Sequence, residues 1–558
     1  MNGQYADEGV VGAKRVTVED YEYAAITAGR TRIVIGVLAF GLALFLLMAR
    51  LAEVSVLRAA PEPYSSRAHD LATRADILDR NDEILATTLD TYLLYGVPGK
   101  IWDPVETTQA LTAALPDLDP ADIERRLTSD KSKVYLKRNL TPRERQAVFS
   151  LGMPGLEFEI EPRRIYPRGH LASHVLGWTN VDLVGAAGAE RAFEQQLSAD
   201  NAGPKRLSVD MRIQHALDDE LRAGMKRFQA KAVAGIVMDV TTGEILAMSS
   251  KPDFDPNRFG TALPNDRLNR ATMSTYELGS VFKPLTTAMA LEAGIDPNEQ
   301  MPVHKPIVIR KKLIKDDHPL KAPAGMFDIL AKSSNRGVTL YATRVGEARQ
   351  RDFLRKLGLF DRVPIELAES AAPQLPREWQ DLTTATVSYG HGLSVTPLAL
   401  AAASAPLFNG GWYIAPTLEY QSPGKARPRR RVMTEQTAST MTDMMRYVVT
   451  DGTGRNAAVR GYGVMGKTGT AEKPGGMAGY QENNLVTSFI SAFPYEDPKY
   501  LILITYDEPQ AAEGTWGYAT AGWNAAPTAG AVISRMVSIL GLRREDTTQV
   551  ASRAGGRP

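Results

Sequence analysis

One uninterrupted apolar run stands out near the start of the chain. Ile33 to Ala49 (IVIGVLAFGLALFLLMA) carries neither charge nor proline. Seventeen residues at helical rise span about 25 Å, slightly under the ~30 Å hydrocarbon core of a bilayer. Leu51 and Ala52 lengthen the run, and Arg50 can snorkel to the interface. The pattern predicts a single membrane-spanning helix over 33–52 behind a polar leader at 1–32. The rival reading is a cleaved signal peptide. Five acids in the leader and the lack of an A-x-A site after the run argue against it. Lys14, Arg15, Arg30 and Arg32 precede the run, and Arg50, Arg58 and Arg67 follow it, so the positive-inside bias is slight. A long downstream domain on the far side of one anchor is the simplest topology.

Beyond a linker at 59–66 (AAPEPYSS), the periodicity is mixed. Ile77-Leu78 and Ile84-Leu85 flank the turn-like Asp79-Arg80-Asn81-Asp82, and Leu156 to Ile160 alternates as a half-buried strand does. Ala202-Gly203-Pro204 marks a break, after which Ile213 to Leu221 has helical spacing. Two hairpins are predicted far apart in sequence. One runs from Gly235 to Met248 around Thr241-Thr242-Gly243, the other from Leu485 to Tyr506 around Pro494 to Pro498. The stretch between them reads as mostly helical, and Val532, Ile533, Met536, Val537 and Leu540 form one helical face. Strands at both ends with helices between predict an α+β domain, an antiparallel sheet with helices on its faces. The expected layout is leader 1–32, membrane helix 33–52, elongated mixed domain 53–203, second domain 204–545 and polar tail 546–558.

The 558 residues are 44% hydrophobic and 23% charged, enough for a real core. A formal net charge of +1 gives no reason to expect nucleic acid. Cysteine is absent, which excludes disulfides, thiolate metal sites and a cysteine nucleophile. The seven histidines show no metal spacing. Asp316-Asp317-His318 reads as a polar turn, and His391 as a structural loop residue. No cofactor is expected.

Gly461 to Thr468 (GYGVMGKT) matches the phosphate-cradling pattern G-x-x-x-x-G-K-[ST]. That device needs a buried strand before the first glycine and a helix opening at Lys-Thr. Ala457 to Arg460 is too short and polar for the strand, and Gly469 with Lys473-Pro474-Gly475-Gly476 opposes a helix. A plain turn with Lys467 solvated would be the default if Lys467-Thr468-Gly469-Thr470 stood alone. It follows Ser280-Val281-Phe282-Lys283 (Ser-x-x-Lys) and Ser333-Ser334-Asn335 (Ser-x-Asn), in that order and 53 and 134 residues apart. A lone Ser-x-x-Lys carries almost no information; the ordered trio is specific.

The chemistry explains the residue types. A serine hydroxyl is a weak nucleophile and needs a base. Three residues along a helix put Lys283 one turn from Ser280, and Pro284 places Ser280 at the helix start. The positive helix end, a second cation at Lys467 and partial burial all favour a neutral Lys283 able to accept a proton. Ser333 can relay a proton to a leaving amine, and Asn335 can orient Lys283 and a peptide substrate. Lys467, Thr468 and Thr470 suit a substrate carboxylate, and Gly469 lets the backbone approach. The N–H groups of Ser280 and Thr470 would form an oxyanion hole. Taken singly, Lys283 reads as a surface charge and Ser333 as a helix cap.

With these residues in place, the chain resembles a class B penicillin-binding protein, most nearly the division-specific septal transpeptidase of the FtsI type. Tyr276 to Pro284 (YELGSVFKP) resembles the family's YEPGSTFKP, and Ser388 to Leu398 (SYGHGLSVTPL) its SYGYGxxVTPLQ. Val464 to Ala471, Asp507-Glu508-Pro509 and Arg74 to Ala86 (RADILDRNDEILA) also fit; the last resembles a pedestal motif in which Ala75 and Asp82 replace glycines. Arg164 to Gly169 and Gly185 to Glu190 resemble further pedestal motifs.

The resemblance implies a peptidoglycan D,D-transpeptidase of the bacterial inner membrane, with its catalytic domain in the periplasm. Ser280 would attack the penultimate D-Ala carbonyl of a stem peptide, and β-lactams would acylate it as substrate mimics. No glycan-polymerising domain is visible, so a glycosyltransferase of the FtsW type and other divisome proteins are the implied partners. The alternatives are an elongation-specific transpeptidase, a D,D-carboxypeptidase or β-lactamase-like hydrolase, and a non-catalytic penicillin sensor or division scaffold.

Overall fold

The computed structural model describes residues 34–48, 74–474 and 480–544. Residues 34–48 are helical and their large apolar side chains are exposed. Among the described residues no helix is long and apolar enough to cross a membrane. The ends of the expected 33–52 span, the leader, the 59–66 linker and the tail lie outside the described residues.

The chain from Thr73 onward forms one compact unit. It opens with a mixed sheet: β1 (Ile77–Leu78), β2 (Ile84–Gly96), β3 (Val134–Leu140), β4 (Leu156–Ile165) and β5 (Lys205–Arg206). The long β2 pairs with β1, β3 and β4, and β5 joins β1 in parallel. The β1–β2 turn keeps a left-handed residue, with Asp82 at φ 67° where the related motif has glycine; an aspartate side chain tolerates that region better than most. The Asp79 carboxylate fixes this turn by accepting from the backbone N–H of Asn81, Glu83 and Met211. Three helices, α1 (Pro104–Ala114), α2 (Pro120–Leu127) and α3 (Pro142–Phe149), each start with proline after an Asp or Thr cap. They bury Leu111, Leu115, Ile123, Leu127 and Val148 in a small core of their own.

The three pedestal-like motifs meet in space. Arg74 and Arg164 donate to the two carboxylate oxygens of Glu190 at 2.6 and 2.7 Å, with all three side chains buried. Arg74 also donates to the Glu190 and Leu183 carbonyls.

The second half is built on a five-stranded antiparallel sheet in the order β12-β13-β14-β6-β7, from β6 (Ala232–Asp239), β7 (Ile245–Lys251), β12 (Met465–Pro474), β13 (Tyr480–Phe493) and β14 (Tyr500–Asp507). The two expected hairpins are β6–β7 and β13–β14, and β14 pairs with β6 across more than two hundred residues. Alternation sends side chains to opposite faces. Val233, Val237, Ile502 and Ile504 pack on one side beneath α4 (Met211–Arg227) and the C-terminal helix; Ile236, Met238, Leu501 and Leu503 pack on the other beneath the central helices. Those helices are α5 (Lys283–Glu292), α6 (Met326–Ala331), α7 (Asn335–Val345), α8 (Glu347–Lys356) and α9 (Glu435–Asp451); α10 (Ala525–Ile539) is the C-terminal one. The middle stretch also holds two short hairpins that its helical reading did not include, β8 (Ile307–Ile309) with β9 (Lys312–Ile314), and β10 (Trp412–Ile414) with β11 (Arg429–Arg431).

Candidate active site

Ser280 lies in a 3-10 turn, Gly279–Phe282, and the α-helix proper opens one residue later at Lys283 with Pro284 in its first turn. The helix start expected at Ser280 is thus a 3-10 turn leading into the α-helix, and the serine sits at the helix tip. The turn is clamped on two sides. Gly279 (φ 60°) donates its N–H to the Gly390 carbonyl at 3.2 Å. A Cβ on Gly390 would sit 2.2 Å from the Gly279 oxygen, and one on Gly469 would sit 2.7 Å from the Leu278 oxygen. The loop after Ser388 therefore holds the turn from one side and β12 from the other. Tyr276 bridges to Val395, Glu277 accepts from the Gly392 N–H, and Thr286 donates to the Ser388 carbonyl. His391, beside the Tyr389 ring at 5.3 Å, belongs to this clamp, and burial lowers its pKa.

Lys467, Thr468, Gly469 and Thr470 lie on β12, the outer strand of the sheet. The strand's register sets Lys467 opposite Ile490 and Thr470 opposite Thr487. Thr468 and Thr453 share a hydroxyl hydrogen bond of 2.7 Å, and Thr470 Oγ1 accepts from the Ala521 N–H.

Ser333 sits between α6 and α7 in the left-handed region, φ 57°. This strained conformation turns its hydroxyl toward both lysines. Lys283 Nζ and Lys467 Nζ each donate to Ser333 Oγ at 3.0 Å. Lys283 also donates to the Ser333 carbonyl and Lys467 to the Thr468 carbonyl at 2.8 Å. Both lysines have 0% exposure. Burial pushes Lys283 down to about 7, against the opposing pull of Asp316 and Asp317. Burial also holds Lys467 well below its ordinary value, with the nearby Lys283 charge adding to the effect. Taking an ammonium out of water disfavours its charged form, and a like charge disfavours it again. Two fully buried amines on one neutral hydroxyl thus form a base and a waiting anion site in one cluster. The Ser280 hydroxyl, half-buried, has no hydrogen-bond partner among the described residues; such contacts often form only when a ligand arrives.

Asn335 departs from expectation. Its amide donates to the Lys315 carbonyl at 2.8 Å rather than to Lys283, because Asn335 opens α7 and its side chain faces the end of β9. Asp316, read from sequence as part of a polar turn, does more than that. Its carboxylate accepts from Ser334 Oγ at 2.8 Å and from the Arg336 N–H at 3.0 Å. Ser334, not Ser333, caps α7. Asp316 thereby fixes the segment that carries Ser333, and its distance of seventeen residues from Ser333 left no local pattern to reveal it.

Comparison with known proteins follows the same division of the chain. A model described as the penicillin-binding protein transpeptidase domain matches residues 233–533, and one described as the penicillin-binding protein dimerisation domain matches residues 69–215. The chain is 40% identical over 484 residues to the probable peptidoglycan D,D-transpeptidase FtsI of Caulobacter vibrioides, covering 85% of this chain and 82% of that protein. It is 33% identical to the probable peptidoglycan D,D-transpeptidase PenA of Neisseria meningitidis, over 84% and 85% of the two chains. Identity to the peptidoglycan D,D-transpeptidase FtsI of Escherichia coli is 27%, over 87% of each. Among solved structures, penicillin-binding protein 3 of Mycobacterium tuberculosis, complexed with aztreonam, superposes with a TM-score of 0.68 at 25% identity, covering 85% of this chain and 97% of that one.

Proposed function

The chain belongs to the penicillin-binding transpeptidase family, its FtsI-type peptidoglycan D,D-transpeptidases included, and on that premise we propose that Ser280 is the nucleophile with which it cross-links stem peptides at the division septum. The observation that carries the assignment of residues is the meeting of Lys283 and Lys467 on Ser333 Oγ beside the Ser280 turn.

Ser280 Oγ attacks the carbonyl of the penultimate D-Ala and passes its proton to neutral Lys283. The Ser280 and Thr470 N–H groups hold the oxyanion. The tetrahedral intermediate collapses, the bond to the terminal D-Ala breaks, and the leaving amine takes a proton relayed through Ser333. An amine of a neighbouring stem then attacks the acyl-enzyme, forming the cross-link and returning Ser280. Lys467, Thr468 and Thr470 receive the substrate carboxylate, Gly469 lets the backbone approach, and Asn335 orients the peptide substrate. A β-lactam enters the same sequence and stays at the ester.

The apolar helical residues 34–48 support a single anchor over 33–52, with leader 1–32 on the cytoplasmic side and the domains at 53–203 and 204–545 in the periplasm. Both matched domains belong to the cross-linking side of wall synthesis, so on this reading the enzyme works beside a membrane glycosyltransferase of the FtsW type within the division machinery.

Full-length protein in detergent is expected to carry a fluorescent penicillin covalently at Ser280. Equal labelling of Ser280→Ala would overturn the assignment. Depletion in cells is expected to produce filaments; round cells would move the enzyme to side-wall elongation.

A further inference from the structure

The short hairpin β10–β11 lies beyond the end of α5 opposite Ser280. Helix α5 is about 15 Å long at helical rise. Its last residue, Glu292, accepts from the N–H and hydroxyl of Thr434, three residues after β11. In this hairpin Trp412 pairs with Arg431, Tyr413 with Arg430 and Ile414 with Arg429. Alternation puts Trp412, Arg429 and Arg431 on one face. The Arg429 and Arg431 guanidinium carbons lie 4.3 and 4.4 Å from the Trp412 ring centroid, so two cations clasp one indole. On the other face Arg430 stacks on Tyr413 at 4.1 Å and donates twice to the Lys356 carbonyl at the end of α8.

All three arginines are exposed, and among the described residues none is paired with a carboxylate. Nor does β11 have a strand on its second edge among the described residues. Three like charges side by side repel one another, and stacking on aromatic faces offsets only part of that. Charge on an edge strand also discourages self-pairing, and the same uncompensated charge selects a partner of opposite sign. An anionic polymer or lipid headgroup could neutralise the guanidinium groups but has no backbone N–H and C=O groups to satisfy an open strand edge. A polypeptide satisfies both.

We infer that the outer edge of β11 docks an extended acidic segment of a partner protein, added as a third strand to this hairpin. Carboxylates at alternate residues of the segment match Arg429 and Arg431, which as i and i+2 on one strand stand about 6.6 Å apart. Guanidinium and carboxylate then pair in the fork geometry that favours arginine over lysine. A three-residue edge is short, so the complex is weak and salt-sensitive. This inference is independent of the catalytic reading.

The test uses the full chain in detergent and, as probe, a fluorescent peptide of five Glu-Thr repeats followed by anisotropy. Saturable binding is expected, weakened at least about tenfold, or about 1.4 kcal/mol, in R429E/R431E. Labelling of that variant by penicillin should be unchanged, which also reports that it is folded. The same peptide methylated at every backbone nitrogen keeps its charge and loses its donors, and should bind far more weakly. Equal binding of the methylated peptide overturns strand addition. Unchanged binding to R429E/R431E, or capture by phosphatidylglycerol vesicles with no binding of the peptide, overturns the docking site altogether.

Discussion

Two places among the described residues bury a pair of cations against one shared acceptor. In the N-terminal sheet region, Arg74 and Arg164 close on Glu190, and Glu194 adds a second carboxylate 2.9 Å from Arg74. In the catalytic region, Lys283 and Lys467 close on Ser333. The geometry is alike and the chemistry is opposite. A guanidinium keeps its proton and a carboxylate between two of them is satisfied, so the first cluster is a staple joining three distant segments. A hydroxyl offers no charge, so the second cluster relieves itself only by shedding protons or by receiving an anion. On the proposed reading, the residue in the middle decides whether a buried cation pair becomes structure or catalyst.

The largest effect should come from unbalancing the staple. Glu190→Gln leaves two buried cations facing a neutral amide and should cost about 3–5 kcal/mol, read by denaturant unfolding. Acylation per folded molecule should stay near wild type; a loss under about 1 kcal/mol would make the cluster a surface-like pair and dissolve the comparison. Next in size is Lys467→Ala, which removes the anion site and should slow penicillin acylation by the equivalent of about 1.5–3 kcal/mol. An unchanged second-order rate constant would show that the substrate carboxylate is held elsewhere.

Titration sharpens the contrast further. Because Lys283 is depressed to about 7, its neutral form dominates above that pH and its ammonium below. Acylation should therefore be flat above pH 7 and fall about tenfold per unit beneath it, as a single proton requires. A rate still climbing through pH 9 would mean an amine of ordinary basicity. The same depression bears on stability with a fixed sign. Between about 7 and the ordinary lysine range the unfolded chain binds more protons, so stability rises with pH across that window. The smallest effect belongs to Asp316→Asn. Asp316 pulls Lys283 upward, so its loss should move the acid limb of the profile to lower pH. A limb that does not move would confine Asp316 to holding the Ser333 segment.

How much of this was legible in the chain depends on distance. The three motifs, both sheet hairpins and the helix from Lys283 were local patterns; the hairpins and the helix appear where their patterns placed them. The pedestal motifs could be read singly, but nothing in the sequence says that Arg74 and Glu190, 116 positions apart, touch. Asp316 looked like a turn because a capping carboxylate and a solvated one have the same local sequence. The 3-10 turn at Ser280 escaped because Pro284 fixes only where the α-helix begins. The short β10–β11 pair leaves little local signal, because each strand has only three residues and Pro428 and a run of arginines flank or fill the second.

The close fit of Gly279, Gly390 and Gly469 has a bearing on antibiotic selection. At each, a neighbouring backbone atom lies within 3 Å of where a Cβ would stand. Any side chain there would pry the nucleophile's turn away from its supports, and wall synthesis would fail together with drug capture. On the proposed reading, then, a substitution at any of these three positions loses the drug only by losing the peptide as well.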